Sequence, residues 1–283
     1  MKHQITVGIE IEAVYNNKNT SINRGSYHNG NTIARLRDFK AEEDCSIKKR
    51  KTKFKDWACT IELVSRTFVG RSNFFTGLQK FIKYFSKDGA LELNQVFEFN
   101  SSCGSHMHIS IDDFKFSKKT IIECYIKTRE YFINRILNSK IESRSRIVDN
   151  YDRYYAEKIK KQEEIQHGKK CSEFNFRSEC YGRGIEWRSP NMTGIKTWEE
   201  FLEFWNIVYD SIQILIKNSL KWEKNFGEEL IDIASIDHYL KIYKNNYGKG
   251  KTINLNLEEK RETIELSGII KNKEKLEEIK CVT

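Results

Sequence analysis

Between Ile5 and Val14 the chain alternates strictly, with Ile5, Val7, Ile9 and Ile11 on one side of an extended backbone and Thr6, Gly8, Glu10 and Glu12 on the other. Successive side chains of a strand point to opposite faces, so this pattern predicts a half-buried β-strand. One face is apolar and the other carries two carboxylates two residues apart. Short alternating segments recur at 60–65, 106–111 and 184–189, which predicts further strands of the same kind.

Helical periodicity separates these strands. Phe74, Leu78, Phe81, Ile82 and Phe85 share one stripe, and Ile122, Tyr125, Ile126, Ile133 and Ile136 repeat the spacing. A third helix opens on a T-x-x-E capping box at Thr197 and Glu200 and carries Trp198, Phe201, Leu202, Trp205, Val208, Tyr209, Ile212 and Leu215 on one side. Residues 16–31 read as a loop, and the charged stretch to Lys55 as alternating strand and loop. Strands that do not alternate regularly with helices predict an α+β fold with helices on one face of the sheet.

With 283 residues, 39% of them hydrophobic, the chain is long enough for a sizeable core and too apolar for disorder. A single proline, Pro190, and the lack of Gly/Ser-rich linkers favour one continuous domain. Seven cysteines without a C-x-x-C pair suggest free thiols in a reducing cytoplasm rather than a disulfide framework or zinc site. The acidic residues in the first apolar run do not suit a signal peptide, and no stretch has transmembrane length. The formal charge of +9 includes the run KKRKTKFK at 48–55, which fits a solvated loop, and a polyanion such as ATP satisfies it as well as nucleic acid does.

The polar faces carry the chemistry. Beside Glu10 and Glu12, the segment TIELVS presents Glu62, CGSHMHIS presents His106 and His108, and GIEWRSP presents Glu186 and Arg188. Each strand alone reads as an ordinary solvated face. As neighbours they would gather four carboxylates, two imidazoles and one guanidinium. Like charges at about 4 Å repel by about 4 kcal/mol at an effective dielectric of about 20, so the cluster calls for divalent cations. Oxygen ligands with a single imidazole suit Mg²⁺ or Mn²⁺ better than zinc.

In their order along the chain, GIEIE, DCSI, ELVS, CGSHMHIS and GIEWRSP resemble the motifs of the glutamine synthetase superfamily. They are most similar to its amidoligase branch, a group inferred to join amines to carboxylates in peptides. The resemblance runs from Val7 to about Pro190. It implies a glutamine synthetase-like α+β fold: a curved, mainly antiparallel sheet with helices on one face and an open concave active-site face. Residues 1–283 would form one catalytic domain with a helical extension from about 228.

The resemblance also implies site roles. Glu12 and Glu62 match ligands of a substrate-side metal, and Glu10, His106 and Glu186 match ligands of a metal on the nucleotide phosphates. His108 would contact phosphate, Arg188 would neutralise the phosphoryl group in transfer, and Arg177 matches an ATP-phosphate contact. The implied cofactors are ATP and two or more Mg²⁺ or Mn²⁺ ions. The implied activity is ATP-dependent amide or isopeptide formation between an amine and a carboxylate, with peptides or amino acids as substrates, and relatives often assemble as rings or dimers. A γ-glutamyl ligase acting on free amino acids would differ only in its acceptor pocket.

Asp44, Arg146 and Arg153 are further candidates for substrate or nucleotide contacts. Clustered carboxylates and histidine on a basic chain also describe a metal-dependent nuclease or nucleic-acid-binding protein, which is the rival reading. YGKGKT, ending at Thr252, lacks the first glycine and preceding strand of a phosphate-binding loop and reads as a turn. Cys103 shares its segment with both histidines instead of facing them from elsewhere, so it is not expected to be a nucleophile.

Overall fold

The computed structural model describes residues 5–19, 22–26, 29–49, 52–111, 118–151, 174–175, 185–188 and 190–226. In chain order the elements are β1 (Ile5–Asn16), β2 (Asn31–Ile33), β3 (Leu36–Glu42), β4 (Ala58–Ser65), β5 (Phe68–Val69), α1 (Gly70–Phe85), α2 (Leu93–Val96) and β6 (Phe97–Glu98). They continue with β7 (Ser105–Ile111), α3 (Lys118–Leu137), α4 (Arg144–Asp149), β8 (Phe174–Asn175), β9 (Ile185–Trp187) and α5 (Trp198–Phe226). The chain divides into two units, Met1–Glu228 and Glu229–Thr283. Every described residue belongs to the first, and the expected helical extension lies outside the described residues.

The strands form one open sheet in the order β2-β3-β4-β1-β7-β9-β8, with β5 and β6 also paired to β1. All of these pairings are antiparallel. The result is α+β, as the sequence pattern predicts. The long strand β1 is flanked by β4 and β7, so the three motif-bearing strands that the sequence separates widely are direct neighbours, and β9 follows β7.

Alternation decides which face is covered. Val7, Ile9 and Ile11 of β1, Ile61 and Leu63 of β4, Met107 and Ile109 of β7, and Ile185 and Trp187 of β9 are buried. Helices α1, α3 and α5 supply the covering layer through aromatic contacts. Phe39 of β3 lies 4.9 Å from Phe81 of α1, ring centroid to centroid, and Phe81 stacks on Phe201 of α5 at 5.5 Å. Trp187 meets Phe132 of α3 edge to face at 5.4 Å. Each such ring buries a large apolar area, and burial at about 25 cal/mol per Å² makes this layer the main stabilising contact of the sheet.

Helix α5 begins where its capping box directs. The Glu200 N–H donates to Thr197 Oγ1 at 3.2 Å, and the Thr197 N–H donates to Glu200 Oε2 at 3.4 Å. Glu200 also accepts the N–H groups of Lys196 at 2.9 Å and Glu142 at 2.7 Å. One buried carboxylate thus caps α5 and ties down the approach to α4. Helix α1 starts at Gly70, four residues before Phe74 opens the predicted stripe, and Gly70 takes a left-handed φ of 72° that turns the chain out of β5.

Candidate active site

The face of the sheet opposite the helices carries three polar rungs. The first runs Glu42, Glu62 and Glu12 across β3, β4 and β1. The second pairs Glu10 with His106, and the third places Gly8, His108 and Glu186 side by side across β1, β7 and β9. Strand register therefore brings Glu10, Glu12, Glu62, His106, His108 and Glu186 together on one face, and Arg188 joins them from just beyond β9.

His106 is the centre of this cluster. Its Nδ1 lies 3.0 Å from Glu10 Oε2 and 3.4 Å from Glu186 Oε1, and its Nε2 lies 3.8 Å from Glu12 Oε1. His108 Nε2 is 2.8 Å from Glu10 Oε1. Arg188 donates through Nη1 to Glu186 Oε1. Beside the cluster, Gly8, Glu10, Ser65, Thr67, His108 and Ser110 line a cleft of about 420 Å³.

Gly104 explains the glycine of the CGSHMH motif. Its N–H donates to Glu12 Oε2 at 2.6 Å, while its carbonyl accepts the Glu12 N–H at 3.1 Å. A Cβ at this position would stand 2.5 Å from His106 Nε2 and 3.1 Å from Glu12 Oε1, so no larger residue fits without displacing both. Buried Asn191 holds the same turn from the other side by donating Nδ2 to the Cys103 carbonyl at 3.0 Å.

Burial and like charge set the protonation of the cluster. Burial, reinforced by the carboxylates of Glu10, Glu12, Glu42 and Asp44, pushes Glu62 up to about 9. Burial also raises Glu12, against the opposing pull of His106 and the Gly104 N–H. For Glu10, hydrogen bonds to His106 and His108 outweigh burial and hold the carboxyl well below its usual range. His108 moves the opposite way, because its bond to Glu10 outweighs the burial that would lower it.

These residues fit divalent cations. One ligand atom from each of Glu10, His106 and Glu186 can be chosen so that all three lie within 4.8 Å of one another. Adjacent ligands around Mg²⁺ stand about 3 Å apart and opposite ones about 4.2 Å, and His106 Nδ1, at 3.0 Å from Glu10 and 3.4 Å from Glu186, is already close to adjacent-ligand spacing from both. Glu12 and Glu62, directly paired across β1 and β4, form a second carboxylate set. The raised Glu62 supplies the physical reason: burial beside four acidic neighbours favours its protonated form, and a cation between the two carboxylates would relieve both costs.

Other expected residues fall elsewhere. Asp44 is buried near Glu12 and Glu62 and raises both, and its Oδ1 accepts the Ser46 N–H at 2.7 Å, so the D-x-S segment is a turn at the edge of the acidic rung. Arg146 lies on α4 against the Gly194 turn. Arg177 and Arg153 lie outside the described residues. Cys103 is buried in a small apolar cluster with Val14, Ile47, Phe54 and Ala58, where burial pushes its thiol up to about 12, so it has no thiolate to offer. Glu42, 7% exposed, was not anticipated. Its signal is the alternation of Lys40 and Glu42 at the end of β3, hidden by the acids that follow.

No curated protein matches this chain. The model of a family described as "putative amidoligase enzyme" matches residues 3–182. The match takes in Glu10, Glu12, Glu62, His106 and His108 and ends just before Glu186 and Arg188, which the sheet register adds to the same cluster. Since it spans more than half of the polypeptide, the chain belongs to the amidoligase family.

Proposed function

We propose that this amidoligase is an ATP- and divalent-cation-dependent carboxylate–amine ligase of glutamine synthetase type, working through an acyl-phosphate intermediate. The observation that carries this reading is the convergence of Glu10, His106 and Glu186 within 4.8 Å, beside the Glu12–Glu62 pair. Glu10, His106 and Glu186 would hold one Mg²⁺ or Mn²⁺, and Glu12 and Glu62 a second. Bound there, the cations would neutralise phosphate charge and orient the transferring group.

A carboxylate does not react with an amine until its hydroxide-equivalent leaving group is improved. In the proposed reaction a substrate carboxylate oxygen attacks the γ-phosphorus of ATP, the bond to the β–γ bridging oxygen breaks, and ADP departs. The amine nitrogen then attacks the acyl carbon, phosphate leaves, and the amine loses a proton. Arg188 lies beside Glu186 with its guanidinium ready to stabilise charge on the phosphoryl group, a role that a planar fork fills better than a point charge. His108 borders the cleft beside Glu10, and its raised pKa favours the protonated form that donates to a phosphate oxygen. The carboxylates of Glu42 and Asp44, beside the proposed second cation, favour a cationic amine on that side.

ADP release tests the proposal. With Mg²⁺ and panels of amines and carboxylates, the protein should form ADP only when both substrates are present. Cutting of DNA or RNA with metal alone, without ADP release from any pair, would replace the ligase reading with the nuclease one.

A further inference from the structure

A larger cleft, about 1190 Å³, lies between the β2–β3 hairpin and α1. Arg35 and Arg37 enter it from the hairpin, and Lys80, Lys83 and Lys87 from α1 and the turn that follows. Lys80 and Lys83 are three residues apart on α1, the interval that keeps helix side chains on one face, and Lys87 reaches the same cleft from the turn beyond the helix end. Five cations therefore face one opening, against two carboxylates.

Both carboxylates are already engaged. Asp38 is 8% exposed and held by Arg66 at 2.5 Å and Lys80 at 3.6 Å, and Asp88 pairs with Lys83 at 3.5 Å. Arg35, Arg37 and Lys87 have no carboxylate partner among the described residues, and all three are exposed. Lys87 and Asp88 also hold left-handed φ angles of 49° and 58°, a conformation that side-chain-bearing residues adopt at a cost. Helix ends normally place glycine there, whereas here Gly89 comes two residues late. Strain is thus kept at the turn that carries one of the free cations.

Size and lining identify the ligand class. Lys80 and Lys83 on α1, Lys87 beyond its end, and Arg35 and Arg37 on the hairpin spread five charges along a cleft of about 1190 Å³, which a lone phosphate would not fill. Single-stranded nucleic acid binds through rows of exposed aromatic rings. Among the described residues, Tyr84, half-buried, is the sole ring lining this cleft. Spaced cations without stacking surfaces fit an extended peptide bearing several carboxylates.

The lining of the cleft is also tied to the catalytic face through the backbone. The Arg66 N–H donates to the Asp38 carbonyl at 2.7 Å, and the residues on either side of Arg66, Ser65 and Thr67, line the smaller cleft with Glu10 and His108. Arg66 therefore links Asp38, in the lining of the basic cleft beside α1, to the strand end that lines the smaller cleft. We propose that the basic cleft is an exosite for a carboxylate-rich polypeptide, holding the substrate while one of its carboxylates reaches the site beside Glu10; the catalytic half of this statement rests on the ligase reading.

The test is direct binding of a dye-labelled octaglutamate peptide to the full chain, measured by fluorescence anisotropy without ATP. Binding should weaken by about tenfold or more when salt rises from well below to above physiological strength. Octaglutamine should not compete, and an oligothymidylate of equal charge should compete more weakly than octaglutamate. The triple variant Arg35→Glu, Arg37→Glu, Lys87→Glu should lose binding while keeping wild-type melting and Mn²⁺ affinity. Absent binding by wild type, equal binding by the triple variant, or preference for the oligonucleotide would each overturn the exosite. Intact octaglutamate binding with no ADP formed from any amine and carboxylate pair would sink the ligase reading and leave the peptide site standing.

Discussion

Glu62 is the residue at which the cluster's electrostatics can be measured without knowing a substrate. In the folded, cation-free protein its pKa stands at about 9, whereas in the unfolded chain it returns to the ordinary carboxylate value. The proton-bound form is favoured by folding, so the stability it confers is complete below the unfolded pKa and is lost as pH rises toward 9. Glutamine cannot ionise and escapes this loss. Glu62→Gln in the presence of chelator should therefore melt above wild type at pH 8, by the equivalent of several kcal/mol, with the gap closing toward pH 5. Equal melting of the two proteins at pH 8 would remove the like-charge argument for cations. Gly104→Ala makes the complementary steric prediction. The new methyl would displace His106 and Glu12, and Mn²⁺ affinity measured by calorimetry should fall by about 10- to 100-fold while the sheet still folds.

At the scale of elements, periodicity made the fold legible wherever two faces differ. The segments carrying Glu10, Glu62, His106 and Glu186 were readable as strands because each alternates charge or imidazole with a buried aliphatic or aromatic side chain, and α5 was readable from its cap and apolar stripe. The two-residue strands β5, β6 and β8 were not, since alternation cannot register over so short a span. Nor could the sequence announce that Glu200 serves two elements, because its bond to Glu142 joins residues 58 positions apart. That bond carries a prediction. Glu200→Ala leaves the N–H groups of Glu142, Lys196 and Thr197 without their acceptor, and stability should drop by about 2–3 kcal/mol in denaturant titration, against about 1 kcal/mol for loss of an ordinary cap. A cost no greater than the ordinary cap would mean that the α4 approach is held by something else.

For the molecule as a whole, the site was legible as a list of ligand types but not as a shape. The motifs named Glu10, Glu12, Glu62, His106, His108, Glu186 and Arg188, and only the strand order β4-β1-β7-β9 turns the list into one face. Glu42 escaped because β3 joins that face from a stretch whose mixed charge masks its alternation, and pairing opposite Glu62 is a property of register alone. In the proposed metal site, assembled from four strands, cation binding and folding would be a single equilibrium, since unfolding scatters the proposed ligands along the chain. Mn²⁺ at about a hundredfold above its dissociation constant should stabilise the native state by about 2.7 kcal/mol, which for a domain of this size is about 5–10 °C in melting temperature. Glu10→Gln and Glu186→Gln each remove a charged ligand from the tightest set, so both should lose most of that shift. Arg188→Lys should retain it, because Arg188 binds no cation, yet lower kcat by about a hundredfold or more in the ligase assay. Separation of the two losses, cation binding for the carboxylates and turnover for the guanidinium, is the result the arrangement requires. A wild-type Mn²⁺ shift in both carboxylate variants would mean that the rungs on this face do not form a metal centre.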